Sequence, residues 1–229
     1  MAATSVLVVG ESGSGKTTST ENLPSGETFI INVAQKNLPF KGWKGKYKAL
    51  SKDTPNGNML MSDDTETILK TMDYVSAQRP EIKYLIIDDS QYTVANEFMR
   101  KAKETGFQKF TDMALNMYKI ATKPKSLRDD LFVIFLSHAE VAQDLNGNQR
   151  LKAKTLGKMI DDKITYEGLF SIVLFASKKE ARGGVEYVFV TNGDLNSTAK
   201  SPKGMFESKE IPNDLNTVVQ AIRAYEEGE

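Results

Sequence analysis

A glycine-rich segment near the beginning of the sequence, from Gly10 to Thr17, restricts the possible folds more than any other feature. It reads GESGSGKT and matches the pattern G-x-x-x-x-G-K-[S/T] at every fixed position. A β-branched run at residues 5–9 precedes it, and residues compatible with a helix follow from Gly15 to about Asn22. A strand, a glycine loop and a helix in this order are typical of α/β proteins with a parallel sheet. We therefore predict an α/β fold with this loop at one edge of the sheet.

The residue types in this glycine-rich loop suit the binding of nucleotide phosphates. Glycine allows backbone angles that turn successive N–H groups towards an anion, and a following helix adds its positive N-terminal end. Lys16 is expected to reach the β and γ phosphates, and the Thr17 hydroxyl is placed to bind Mg²⁺. The predicted nucleotide-binding residues are Gly10, Glu11, Ser12, Gly13, Ser14, Gly15, Lys16, Thr17 and Thr18. The alternative is a chance match in an ordinary glycine turn, which the complete motif and its flanking elements disfavour.

Two adjacent acids, Asp88 and Asp89, form the second half of the predicted site. They follow the apolar run at residues 84–87, which is typical of a strand buried on both faces of a sheet. Open α/β sheets bind ligands at the carboxyl ends of their strands. We therefore predict that Asp88 binds Mg²⁺, directly or through water, and that the ligands are ATP and Mg²⁺. Asp89 is either a catalytic residue on the γ-phosphate side or a cap of the next helix.

The remaining sequence alternates strand and helix patterns. Further strands are predicted at residues 28–33, 59–61, 131–136, 169–176 and 185–191, and helices at residues 63–77, 110–121 and 215–225. The last two strands are joined by a polar loop with two glycines, so we expect an antiparallel hairpin. The pattern predicts one domain over residues 1–229, with a mostly parallel central sheet, helices on both faces and this hairpin near the C-terminus.

Composition restricts the chemistry. Lys plus Arg and Asp plus Glu each number 30, so any nucleic-acid surface must be a local concentration of positive charge. The sequence has no cysteine and a single histidine, which excludes a zinc–thiolate site, a cysteine nucleophile and a histidine-based metal site. The longest apolar runs, such as residues 131–136, are far shorter than the ~20 residues that span a bilayer. We therefore expect a soluble protein with no membrane contact.

The order of these features resembles the RecA-like P-loop ATPases, and most closely the small phage single-domain recombination ATPases of the Sak-four type. The resemblance covers nearly the whole chain. It rests on the glycine loop, the strand ending at Asp88, the strand ending at His138 and the segment AKSPKG at residues 199–204. It implies an ATPase, stimulated by DNA, that binds single-stranded DNA and acts in annealing or strand exchange. It also implies a homo-oligomer, cooperation with a single-strand-binding protein, and a location in the cytoplasm of a bacterial host.

The resemblance assigns roles to two further residues. His138 stands where RecA-like proteins carry a polar sensor of the γ-phosphate, and a structural histidine at a strand end is the alternative. Lys200 is a candidate finger that reaches the γ-phosphate of a neighbouring subunit, and a solvated loop lysine is the alternative. Related helicases pair such a lysine with an arginine two residues later, where this sequence has Pro202. The predicted catalytic residues are Lys16, Asp89, His138 and Lys200.

The sequence departs from the RecA-like pattern at the predicted catalytic base. RecA-like ATPases usually carry a glutamate at the end of the second strand, but this sequence has Ala34 and Gln35 there, and no acid before Asp53. A glutamine can orient the attacking water but cannot take its proton. Either Asp89 is the base, or hydrolysis is slow.

One candidate DNA-binding region lies between residues 35 and 52. It contains six lysines and no acid, interleaved with Phe40, Trp43 and Tyr47. Lysines neutralise phosphates and aromatic rings stack on bases, which is the chemistry of single-strand binding. We predict contacts through Trp43 and Lys44. The alternative is that the aromatic residues pack as a structural plug and the lysines are only solvated.

A second candidate DNA-binding region is a hairpin predicted around Asn146 and Gly147. The returning strand carries Arg150, Lys152 and Lys154, whose spacing places all three on one face. We predict that they contact the phosphates of single-stranded DNA, and a charged solvent face is the alternative.

Three functions fit these features to different degrees. The leading interpretation is an oligomeric ATPase that acts on single-stranded DNA. The second is a nucleotide-dependent switch or loader with weak ATPase activity and a protein partner, which the missing glutamate favours. A small-molecule kinase is disfavoured, because the six arginines are scattered and form no arginine-rich lid.

Overall fold

The structure is a computed structural model and describes residues 2–143, 147, 149–155, 164–193 and 197–228. The strands are β1 (Thr4–Gly10), β2 (Thr28–Asn32), β3 (Met59–Leu60), β4 (Tyr84–Asp88), β5 (Phe132–Gln143), β6 (Gln149–Ala153), β7 (Ile172–Ala181), β8 (Gly184–Val190) and β9 (Glu210–Pro212). The α-helices are α1 (Trp43–Lys46), α2 (Thr65–Gln78), α3 (Tyr92–Arg100), α4 (Gln108–Thr122) and α5 (Leu215–Glu227). Short 3₁₀ helices lie at Thr18–Thr20, Lys123–Ser126 and Tyr166–Leu169.

A nine-stranded sheet runs in the order β3-β2-β4-β5-β1-β7-β8-β9, with β6 paired to the distal part of β5. Strands β3, β2, β4, β5, β1 and β7 run parallel to one another, whereas β8 is antiparallel to β7, β9 to β8, and β6 to β5. The predicted mostly parallel sheet and C-terminal hairpin are confirmed. Within it, Gly10 pairs with His138 on β5 and Ala176 on β7, while Asn32 pairs with Asp88. The parallel strands β1, β2 and β4 thus end at one edge, beside His138 of β5 and Ala176 of β7, whose strands continue further.

Alternate residues of the central strands face opposite sides of the sheet. In β1, Leu7 and Val9 pack in a cluster with apolar residues of α2, α3 and α4. Val6 and Val8 pack in a second cluster with residues of α5 and with Leu38, Phe40 and Tyr47. All four β1 side chains are fully buried. This confirms the predicted helices on both faces and explains the continuous apolar runs.

The helix predicted after the glycine loop, from Gly15 to Asn22, is wrong. The chain forms turns and a 3₁₀ helix at Thr18–Thr20 instead. The Ser19 hydroxyl donates to the Lys16 carbonyl at 2.5 Å, and the Thr20 hydroxyl donates to the Thr17 carbonyl at 2.7 Å. Such side-chain bonds compete with the regular helical ladder, and Pro24 prevents its continuation soon afterwards.

Two strands continue beyond their apolar predicted ranges. β5 extends to Gln143 and β7 to Ala181, and their outer halves carry polar and exposed residues. Each outer half pairs with an antiparallel partner, β6 or β8. An antiparallel ladder tolerates solvent on its faces, so apolar periodicity alone underestimated the length of these strands.

Helix α3 was not predicted. No helix in the described ranges is long and apolar enough to cross a bilayer.

Candidate functional site

The glycine loop requires glycine at two positions for different reasons. A Cβ on Gly10 would lie 2.5 Å from the Ser14 Oγ and 2.7 Å from the Ala176 carbonyl oxygen, so no side chain fits there. Gly15 has a φ of +89°, in the left-handed region that other residues rarely adopt. The loop is therefore packed tightly against β7 while its backbone turns back on itself.

Lys16 lies inside this loop. Its side chain is buried, and its ammonium donates hydrogen bonds to the carbonyl oxygens of Gly10 at 2.9 Å and Glu11 at 2.8 Å. Burial lowers the pKa of Lys16, while the nearby Asp89 and Asp88 carboxylates raise it. A desolvated ammonium bonded only to neutral carbonyls is a strong potential ligand for an anion.

Thr17 and Asp88, the two residues predicted to bind Mg²⁺, lie next to each other. The Thr17 hydroxyl donates to Asp88 Oδ1 at 2.8 Å, across 71 residues of sequence. Asp88 is 5% exposed, and its burial, followed by the charge of Asp89, raises its pKa to about 6. A hydroxyl and a carboxylate are oxygen ligands of the kind Mg²⁺ binds beside nucleotide phosphates. These residues fit the metal of a nucleotide complex.

Asp89 is held between two basic side chains. The Lys36 ammonium lies 2.6 Å from Asp89 Oδ2, and His138 Nε2 lies 3.2 Å from Oδ1. Burial alone would raise the pKa of Asp89, but the bonds from His138 and Lys36 lower it to about 2. The carboxylate points at these partners, and α3 begins after Gln91 without a side-chain cap. Asp89 has a φ of +57°, so its backbone is turned out of the strand direction.

A cavity of about 180 Å³ joins these groups. It is lined by residues 12–18 of the glycine loop together with Lys36, Pro39, Asp89 and His138. Three of the four predicted catalytic residues, Lys16, Asp89 and His138, therefore share one cavity. Lys200 does not line it. Its backbone forms a bridge with Val173 on β7, through hydrogen bonds of 2.9 and 2.8 Å, and its role as a finger stays a prediction.

The aromatic residues of the first DNA-binding candidate are mostly buried. Phe40 and Tyr47 are 6% and 2% exposed, and their rings meet edge to face with centroids 6.2 Å apart. Trp43 is half-buried against the same core cluster, and the Lys44 ammonium lies 5.7 Å from its ring centre. Phe40 and Tyr47 thus form the structural plug, and Trp43 keeps the accessible ring surface of the three.

The second DNA-binding candidate forms the predicted antiparallel pairing between β5 and β6. Asn146, in its predicted turn, lies outside the described residues. The Arg150 guanidinium donates to the Ser197 carbonyl at 3.1 and 3.0 Å, and the Lys152 ammonium lies 3.2 Å from Glu140 Oε1. Lys154 is exposed, and its backbone N–H donates to the His138 carbonyl at 2.8 Å. Two of the three predicted phosphate contacts therefore have partners within the chain.

Three residues near the loop were not assigned to it from the sequence. Lys36 was noticed only as one of six lysines. Tyr187 on β8 lies so close that its Cδ1 would be 3.0 Å from a Cβ on Gly15. The Asn213 amide donates to the Ser14 carbonyl at 3.4 Å. Tyr187 and Asn213 lie about 170 to 200 residues further along the chain, so no local pattern could connect them with the loop.

Comparisons with known proteins support the fold. No family model matches the sequence, and neither does any curated protein. The KaiC-like protein PH0186 from the hyperthermophilic archaeon Pyrococcus horikoshii OT3 aligns with 92% of this chain and 85% of its own, at 14% identity and a TM-score of 0.53. The flagellar accessory protein FlaH from Methanocaldococcus jannaschii aligns with 92% and 84%, at 14% identity and a TM-score of 0.46. The chain has the RecA-like α/β fold.

Replacing Lys16 with Ala tests the anion site. Because the ammonium lies at the loop and not in the core, we expect the variant to fold and to lose ATP affinity by about 100-fold or more. Isothermal titration with Mg-ATP measures this loss. The exposed Lys70 on α2, changed to Ala, is the matched control. A folded Lys16→Ala variant with the parental affinity would contradict the assignment.

Replacing Asp88 with Asn should stabilise the ligand-free chain while removing Mg²⁺-dependent binding. Because the pKa of Asp88 is raised, its negative charge destabilises the folded chain above pH 6. This destabilisation disappears as the pH falls below 3.8, the ordinary pKa of an aspartate. We expect a gain of about 1–2 kcal/mol at pH 8 that shrinks towards pH 4. Denaturant unfolding at both pH values measures it, with the exposed Asp53→Asn as control. An equal or larger gain at pH 4 would show that the buried charge is not the cause.

Proposed function

We propose that this chain binds Mg-ATP, hydrolyses it slowly, and uses the bound nucleotide as a switch that controls contact with a partner. The observation that carries ATP binding is that Lys16 and Thr17 line one cavity, while the Thr17 hydroxyl also donates a hydrogen bond to the buried Asp88. Lys16 supplies a cation for the phosphates, and Thr17 with Asp88 supplies oxygen ligands for Mg²⁺. When bound, Mg²⁺ would neutralise charge on the β and γ phosphates.

Slow hydrolysis follows from the state of Asp89. A general base works best when its pKa lies near the operating pH. Asp89 has a pKa of about 2, because Lys36 and His138 hold its carboxylate. Gln35, at the position where a glutamate was expected, is exposed and has a φ of +55°. The described cavity therefore favours binding of the nucleotide over rapid proton removal from water.

A chain of contacts connects the phosphate cavity with the β5–β6 hairpin. His138 contacts Asp89 through its side chain, and its backbone N–H donates to Gln91 Oε1 at 3.2 Å. The His138 carbonyl accepts the Lys154 N–H at the end of β6. A change of partners at Asp89 would thus act directly on the strand that carries this hairpin. This continuity supports a switch in which the hairpin side meets the partner.

Single-stranded DNA is the partner that the surface chemistry favours. The segment around Trp43 presents exposed lysines beside an accessible ring, and Lys154 is exposed at the hairpin. This agrees with the resemblance to phage recombination ATPases of the Sak-four type. By that resemblance we propose that the chain acts in annealing or strand exchange, forms a homo-oligomer and cooperates with a single-strand-binding protein. The second candidate is a loader whose partner is a protein. This second candidate is favoured because Arg150 bonds to Ser197 and Lys152 to Glu140, which removes two expected phosphate contacts.

An ATPase assay with and without single-stranded DNA separates these candidates. We expect slow turnover that rises when DNA is added. Replacing Trp43 with Ala should weaken DNA binding by ~1–3 kcal/mol through lost stacking, with little change in its salt dependence. Replacing Lys154 with Gln should flatten the plot of log affinity against log salt by ~0.7.

The exposed Tyr118 on α4, changed to Ala, is the control for loss of a surface ring. Fluorescence anisotropy with a labelled oligonucleotide measures the DNA affinity of the parent chain and of the three variants. If turnover is unaffected by DNA and Trp43→Ala binds DNA as the Tyr118 control does, the protein-partner candidate replaces the DNA candidate.

A further inference from the structure

A second lysine, Lys36, lines the phosphate cavity together with Lys16. Its ammonium lies 2.6 Å from Asp89 Oδ2, and its side chain is 61% exposed. It lines the same cavity as Thr17. The ammonium therefore lies at the mouth of the cavity, partly in solvent, where it is accessible to a ligand.

The turn after β2 fixes the position of Lys36. Asn32, the last residue of β2, is 1% exposed, and its amide donates to the Lys36 carbonyl at 2.5 Å. The Lys36 N–H in turn donates to Asn32 Oδ1 at 3.2 Å. Gln35 closes the turn with a φ of +55°. Because both bonds hold the backbone of Lys36, its ammonium keeps the freedom to change partners.

The charges in the cavity set the direction in which a nucleotide would extend. Lys16 lies in the loop that would hold the phosphates, and Thr17 with Asp88 would hold a Mg²⁺ that neutralises their charge. Asp89, with Lys36 and His138 bonded to it, lines a further side of the same cavity. A terminal phosphate on that side would be repelled by Asp89 unless a cation stood between them. Lys36, which forms an ion pair with Asp89, can supply that cation.

We infer that Lys36 binds the terminal phosphate of a nucleoside triphosphate and makes the cavity selective for triphosphates over diphosphates. An ammonium has three N–H donors, so Lys36 can bond Asp89 and a phosphate oxygen together. A diphosphate ends at the phosphate group that the glycine loop and Lys16 hold, and it does not extend to Lys36. Asp89 is then a positioning residue that orients Lys36. This inference rests on the proposed function, since it requires nucleotide binding in this cavity.

Isothermal titration of the full chain with Mg-ATP and with Mg-ADP tests the inference. Replacing Lys36 with Gln should lower the affinity for Mg-ATP by about tenfold or more and leave that for Mg-ADP within about twofold. Lys36→Met, which keeps the aliphatic stem without the charge, should show the same split. Lys36→Arg keeps the charge and should retain most of the selectivity. The control is Lys125→Gln, an exposed lysine in the 3₁₀ helix at Lys123–Ser126.

The outcomes separate the inference from the proposed function. If the parental chain binds neither nucleotide, the proposed function fails. If the parental chain binds both, and Lys36→Gln and Lys36→Met lose ATP and ADP affinity equally or lose neither, Lys36 does not contact the terminal phosphate. A loss confined to ATP, absent from Lys125→Gln and reduced in Lys36→Arg, supports the inference. Thermal unfolding of each variant confirms that the fold is intact.

Discussion

The hydrogen bond from Thr17 to Asp88 joins two halves of the site that lie on different strands. Asp88 ends β4 and the glycine loop follows β1, and β5 lies between these strands in the sheet. The parallel register places the ends of β1 and β4 at one edge, on either side of β5, so the loop hydroxyl can reach across to the carboxylate. The burial that raises the pKa of Asp88 is a consequence of this arrangement. The site therefore carries a buried acid that a metal ion would compensate.

Charge balance in the cavity determines what the site can do. Lys16 and Lys36 interact with the carboxylates of Asp88 and Asp89, so two positive and two negative groups balance one another in and beside the cavity. Holding Asp89 as a paired carboxylate makes it a weak proton acceptor, but keeps a cation beside it for an incoming phosphate. Under the proposed function, the same contacts would disfavour fast hydrolysis and favour retention of a triphosphate.

Features with a local origin could be predicted from the sequence, and features formed by distant residues could not. The glycine loop and Asp88 were predicted because a complete motif and a strand-end rule locate them. The predicted helix after the loop failed because hydroxyl groups of that segment bond to its own backbone. The orientation of Lys36 depends on a buried Asn32, and the pairing of Arg150 depends on the carbonyl of a residue 47 positions away. Charge patterns in sequence do not reveal such partners.

A comparison of Thr17→Ser with Thr17→Val tests most directly whether this hydroxyl completes the metal half of the site. Serine keeps the oxygen, whereas valine keeps the shape and removes it. The measurement is ATP affinity by isothermal titration, with Mg²⁺ and with excess chelator. We expect Thr17→Ser to bind within about threefold of the parent and to respond to Mg²⁺, and Thr17→Val to lose the Mg²⁺-dependent part of its affinity. A valine variant that binds Mg-ATP as tightly as the parent, with the same response to Mg²⁺, would contradict the assignment of Thr17 and Asp88.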